Sequence, residues 1–145
     1  HFPSKADLAA AIAKRYWQDT KAWLEEVADI KSDPKAALRK YPETFRMSLE
    51  NGNRLCLGSF LGAEYDDLPE QVRTEVQTFA DVNIAWLAER LVDAGLADQK
   101  ASAARASAIF AAVAGAQLLA RSRSDISLFD TMIQSYQEAG LLPGG

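Results

Sequence analysis

The chain has 145 residues, enough for one domain that buries roughly 68–70% of its unfolded surface. With 16 basic and 20 acidic residues its formal charge is −4, which excludes a nucleic-acid groove built from these residues, since phosphate neutralisation needs clustered Lys and Arg. A single Cys excludes an intrachain disulfide framework and fits a reducing cytoplasm, and a single His beside it argues against a transition-metal site.

The pattern is helical throughout, with Ala the commonest residue and no alternating β-branched runs. Ser4 is a good N-cap, with Asp7 three residues later and Phe2 and Leu8 flanking the cap as a near-staple. The first helix is expected over about Lys5 to Val27, with Leu8, Ile12, Tyr16, Trp23 and Val27 as its apolar stripe. Asp33-Pro34 starts a second helix, Pro42 breaks or kinks it, and Asn51-Gly52 stops its resumed run from Glu43 to Leu49. A third helix is expected from Arg54 to Tyr65. Its Gly58 and Gly62 share a face, and each glycine costs about 1 kcal/mol against alanine, so close approach of a backbone or a ligand is implied. A fourth helix is expected from Pro69 to Ala94, ended by Gly95. A fifth starts near Ser102 and runs to Arg121, and a sixth runs from Asp125 to Gly140. No apolar run is long enough to span a bilayer. The opening lacks the basic-then-apolar pattern of a signal peptide, and the missing initiator Met points to a trimmed chain. No repeat or low-complexity linker divides the chain, so one domain is expected.

Enzyme chemistry finds little support. The only His is His1, so neither a Ser-His-Asp nor a Cys-His pair can assemble inside the fold, and no glycine-rich phosphate loop is present. The carboxylate pairs Glu25-Glu26 and Asp66-Asp67 are sequence neighbours that do not face one another, and read as solvated. No catalytic residue, metal ligand or cofactor is assigned.

Binding chemistry is better represented. Tyr16, Trp17, Trp23, Phe45, Phe60, Phe79, Trp86 and Phe110 are spread over the first five helices, with Ser59, Glu64, Asn83 and Gln117 as polar groups beside apolar positions. The same types line a packed core or a ligand cavity. As a cavity, the expected ligand set is Trp17, Phe45, Cys56, Ser59, Phe60, Glu64, Asn83, Trp86, Phe110 and Gln117. Cys56 reads either as a small buried side chain or as a sensor thiol, its pKa lowered by a nearby helix N-terminus and by Arg54. The last two helices carry more apolar surface than packing on one domain requires. Ala111, Gly115, Leu118, Leu119, Leu128, Phe129, Met132, Ile133 and Tyr136 are expected at a two-fold dimer interface.

Two segments carry a family resemblance. The opening His1-Phe-Pro-Ser-Lys-Ala-Asp-Leu8 resembles the "YxHFxxKxxL" junction of TetR-family transcriptional regulators, where a helix-turn-helix hands over to a ligand-binding domain. Arg54-Leu-Cys-Leu-Gly-Ser-Phe-Leu-Gly-Ala-Glu64, followed by Leu68-Pro69, is similar to the "GCLxxxxxxE…LP" stretch of the branch that includes regulators of the LmrA/YxaF and NemR/AcuR type. The resemblance implies an all-α C-terminal regulatory bundle of about six helices, dimerising through its last two as a four-helix bundle. Residues 1–4 would be the remnant of the helix-turn-helix junction and residues 5–145 the ligand-binding and dimerisation domain. It implies a cytoplasmic homodimer that reads operator DNA through a domain before residue 1, without membrane contact, and is released by a small apolar or electrophilic effector. Some members of the branch sense electrophiles through cysteine, which marks Cys56. A free-standing helical small-molecule binding protein without DNA binding is the alternative.

Overall fold

Ser4 begins the architecture. Its Oγ accepts the Asp7 N–H at 3.1 Å and donates to the Asp7 carboxylate at 2.8 Å, so the first orphan donors of a helix are satisfied. The computed structural model describes residues 4–144, the side chains of residues 30 and 31 excepted, so the part of the junction motif on residues 1–3 and the Phe2 contact lie outside it. Among the described residues there are seven α-helical segments and no strand. They are α1 (Lys5–Lys31), α2 (Pro34–Lys40), α3 (Glu43–Glu50), α4 (Leu57–Ala63), α5 (Glu70–Asp93), α6 (Gln99–Ser122) and α7 (Ile126–Glu138), with a 3-10 turn at Tyr65–Asp67. The segments α2 and α3 are one kinked helix. Pro42 offers no N–H, and the chain restarts with Thr44 bonded to the Tyr41 carbonyl and Phe45 to that of Pro42. The result is the expected six-helix all-α plan with its second helix divided.

Local signals account for most boundaries. Asp33 caps α2, with Pro34 in the first turn, and Asp125 caps α7. Gly95, at φ +70°, closes α5 in the left-handed region, and the Leu96 N–H reaches back to the Leu91 carbonyl. Three boundaries differ from expectation. The first helix continues a turn beyond Val27, to Lys31, and stops only where Ser32 turns left-handed before the Asp33 cap. The fifth expected helix starts not near Ser102 but after Asp98, whose carboxylate accepts the Ala101 N–H at 2.8 Å; Ser102 is buried in the first turn and donates to the Gln99 carbonyl. The third begins at Leu57 rather than Arg54, with Cys56 as its N-cap.

Helices α1, α5 and α6 form the body of the bundle. α2 and α3 cross one end of it, and α7 lies on α6 and α3. Leu24, Leu38, Leu87, Leu91, Ile109, Val113 and Phe129 are fully buried between them. The apolar stripe expected on α1 is buried only in its second half. Leu8 is 42% and Ile12 51% exposed, although α5 reaches the first turn of α1 through Gln71, whose amide donates to Asp7 at 2.6 Å. By length and composition α6 is able to cross a membrane, contrary to the expectation that no stretch could. Alanine raises its mean hydropathy without a continuous run of large side chains, and the helix packs on α3, α5 and α7.

One ion pair ties α3 to α7. Arg46 donates Nε to Asp130 Oδ1 at 2.8 Å and its terminal nitrogen to Oδ2 at 2.9 Å, a bidentate fork, and also pairs with Glu50. The guanidinium holds the Asp130 carboxyl below its usual range. Both groups are partly solvated, so the pair contributes about 0.2–1 kcal/mol. A carboxyl with a depressed folded-state pKa stabilises above its unfolded pKa, and that contribution fades as pH falls through the folded value. Asp130→Asn is therefore expected to lower urea-unfolding stability at neutral pH by that amount, and the gap from wild type should close below the ordinary carboxylate range. An equal gap at both pH values would remove the ion pair as its cause.

Candidate functional site

The residues expected to share one cavity are divided among the packed core, the outer surface and three separate clefts. Phe45, Cys56, Asn83 and Gln117 are in the packed core. Asn83 is wholly buried because both ends of its amide are used. Its Oδ1 accepts the Tyr41 hydroxyl at 2.8 Å, and its Nδ2 donates to the Phe79 carbonyl at 2.8 Å. Gln117 on α6 is equally buried. It accepts the Cys56 N–H at 3.1 Å and donates to the Phe45 carbonyl at 2.8 Å. Phe45 meets Tyr41 and Phe110 edge-on, at 5.9 and 6.2 Å between centroids. Two further expected residues stand apart: Glu64 is exposed at the end of α4, and half-buried Trp17 donates its indole N–H to Glu75 at 2.6 Å. The correction has a simple cause. Side chains of these types fill space when their polar atoms find partners inside the bundle, and here all but one of the buried ones do. The exception among the described residues is the indole N–H of Trp86.

Cys56 is 3% exposed. Its thiol donates to Ser59 Oγ at 3.0 Å and accepts the Ser59 N–H at 3.3 Å. Burial pushes the thiol pKa up, against the lowering effect of hydrogen bonds from Ser59, Tyr16 and Gly58. The lowered thiol pKa expected from sequence is thus corrected. Arg54 points its guanidinium back along its own loop, near Gly52, and desolvation exceeds the pull of the helix end.

Three open clefts surround this core. The first, about 350 Å³, lies between α4, α5 and α6. It brings together the expected residues Ser59 and Phe110 with Leu55, Gly58, Gly62, Ala63, Val76, Phe79, Ala80 and Ala114, and with Gly115 and Leu118 from the expected dimer face. Ser59 supplies its one side-chain polar group. The space exists because side chains are missing: a Cβ added at Gly62 or at Gly115 would meet nothing within 4 Å. Gly58 is different, since a Cβ there would stand 2.3 Å from the Phe79 ring. The close approach implied by the two glycines is therefore an aromatic ring at one and open space at the other. The second cleft, about 450 Å³, includes the expected Phe60 together with Tyr16, Arg54 and Arg121. The third, about 520 Å³, runs between α1 and α5 over Trp86, whose ring stacks on Tyr41 at 5.8 Å and carries Arg90 at 5.6 Å.

The sequence reading missed Leu55, Ala63, Val76 and Ala80 in the first cleft and both arginines in the second. Glycine spacing on α4 was the one signal for them. Of the expected interface residues, Phe129 is 1% exposed inside the protomer core, because the residues before and after it turn α7 onto α3 and α6; it is corrected to a core residue. Leu118 and Leu119 are exposed, with Ala111 and Gly115 on the same side of α6, and Leu128, Met132, Ile133 and Tyr136 are half-buried. Among the described residues no group of three or more acidic, His or Cys side chains is placed to hold a metal ion.

Gly58→Ala is expected to destabilise by about 1–3 kcal/mol, the cost of overpacking, with most of it recovered in Gly58→Ala/Phe79→Leu. A single variant with wild-type thermal stability would show that the ring yields freely. Cys56 is expected to react with iodoacetamide far more slowly in the native protein than in urea. Equal rates, followed by mass spectrometry, would contradict its burial.

No protein-family model matches the chain, and no curated protein sequence does. Solved structures do. A TetR transcriptional regulator from Legionella pneumophila superposes with TM-score 0.88 at 26% identity, covering 96% of this chain and 75% of its own. A TetR-family transcriptional regulator from Agrobacterium tumefaciens gives 0.87 at 29% identity, covering 96% and 76%. Reduced NemR from E. coli gives 0.80 at 20% identity, covering 94% and 74%. Over nearly its whole length the chain shares the architecture of these structures: it has the TetR-like fold.

Proposed function

We propose that this chain is the sensing and dimerisation part of a TetR-family transcriptional regulator, a repressor released by a small apolar effector. The observation that carries the reading is the apolar cleft between α4, α5 and α6, built on a scaffold whose similar structures are transcriptional regulators. Its volume lies at the small end of the range for ligand pockets, and it is lined by apolar groups around a single hydroxyl, as such pockets are. On this reading a DNA reader would precede residue 1. Two facts support this: the solved structures extend beyond the part this chain matches, and Leu8 and Ile12 stand exposed at the start of α1, where a preceding domain would cover them.

The mechanism follows from the geometry. α4 is the shortest wall of the cleft and also packs on α1. A ligand pressing on Gly58 and Gly62 bears on α1, and through α1 on the separation of two DNA-reading heads that must match successive half-sites. A useful effector has to bind one state in preference to the other, by roughly 1–3 kcal/mol of coupling. The dimer contact is proposed along the exposed side of α6, with Ala111, Gly115, Leu118 and Leu119, beside Leu128, Met132, Ile133 and Tyr136 of α7. A two-fold interface of small residues lets the helices approach closely. Cys56, buried with a raised pKa, is given a structural part: it caps α4.

The test is fluorescence anisotropy of the full-length protein on the DNA upstream of its own gene. Specific binding that survives N-ethylmaleimide is expected. Loss of binding on thiol modification, absent in Cys56→Ser, would overturn the structural part given to Cys56. No specific binding at all would favour a free-standing binding protein. Ala111→Glu is expected to leave the circular dichroism helical and to convert a dimer to a monomer in sedimentation; a dimer that persists would move the interface off α6.

A further inference from the structure

The nine arginines of the chain are not equivalent. Arg15, Arg39, Arg46 and Arg90 pair with carboxylates, Arg73 lies over the Tyr65 ring, and Arg105 donates to the carbonyls of Leu96, Gly140 and Leu141. Among the described residues, the guanidinium groups of Arg54, Arg121 and Arg123 have no such partner. Two of these three, Arg54 from the α3–α4 loop and Arg121 from the last turn of α6, line the 450 Å³ cleft. On a chain of net charge −4 with acidic residues in excess, two uncompensated cations in one concave site form a local positive field.

The rest of the cleft is of the opposite kind. Leu55, Leu57 and Phe60 give it apolar walls, and Phe60 is 51% exposed. Tyr16 closes one side, and burial raises its pKa, so the phenol remains a protonated donor. The loop that carries Arg54 is held in place. Asn53, left-handed at φ +57°, donates its side-chain amide to the Arg121 carbonyl at 3.1 Å and to Ser124 Oγ at 3.3 Å. The backbone segments that carry the two arginines are thereby joined at one corner of the bundle before any ligand arrives, which lowers the cost of ordering that backbone on binding.

We infer that this cleft binds an amphipathic organic anion, its carboxylate held between Arg54 and Arg121 and its hydrocarbon body against Leu55, Leu57 and Phe60. A guanidinium presents planar paired donors that match a carboxylate, which a lysine would not. The inference does not depend on the regulator reading, because binding is measured directly and without DNA.

The experiment is isothermal titration of the full-length protein with three probes of one chain length: decanoate, decanol and decyltrimethylammonium. Decanoate is expected to bind at one site per chain, at least ten-fold more tightly than either of the others. Arg54→Gln and Arg121→Gln should each weaken decanoate at least ten-fold, leaving decanol and thermal stability unchanged. Arg123→Gln, a control of equal charge change outside the cleft, should bind as wild type. Equal binding of the three probes, no binding of decanoate by the folded protein, or a loss in Arg123→Gln as large as in the other two would each overturn the proposal.

Discussion

The buried carboxamide of Gln117 is the contact on which the placement of α4 depends. α4 has only seven residues, none of them fully buried, and so short a helix is not stable in isolation. What places it is the bond from the Cys56 N–H, at its cap, to Gln117 on the long helix α6, while the other end of the same amide holds the Phe45 carbonyl of α3. A buried amide with only one of its two partners would leave a polar group unsatisfied, at a cost of about 1–3 kcal/mol. Displacing either segment from α6 therefore weakens the hold on the other. The clefts on both sides of α4 inherit their shapes from that coupling.

Much of the architecture was legible because its signals are local. Asp33-Pro34, Pro42, Gly95 and Asp125 each act on their own turn of backbone, and each stands where its chemistry requires. The misplaced start of α6 shows the limit of such reading. Asp98 and Ser102 are both N-cap types one turn apart, and the choice is made by burial of Ser102 against neighbours that sequence does not identify. Leu8 and Ile12 satisfied a helical stripe, yet a stripe reports only that apolar residues share a face, and nothing described covers that one.

The site was legible in part, for a different reason. Phe45, Asn83, Cys56 and Gln117 have the composition of a cavity wall, but whether aromatic and amide groups enclose space or fill it is decided by distances between helices. Gly58 and Gly62 did point to α4, and their spacing was informative, although one serves a phenyl ring and the other leaves a gap. The arginines at 54 and 121 could not be joined from sequence at all, since their meeting is a product of the Gln117 clamp and of the Asn53 bonds to the end of α6. α6 itself serves two surfaces at once: Ile109, Val113 and Ala116 form the spine of the core, and the alanine-rich opposite side stays open.

The first cleft is bounded by helices but sized by absences at Gly62 and Gly115, where a new Cβ would touch nothing. An alanine at either position would take up part of the cleft without pressing on a neighbour within the protomer. A cleft shaped in this way separates its capacity from the stability of the frame around it. At Gly62, away from the α6 surface proposed for the dimer contact, the size of that cleft is open to change by single substitutions that leave the core of the bundle untouched.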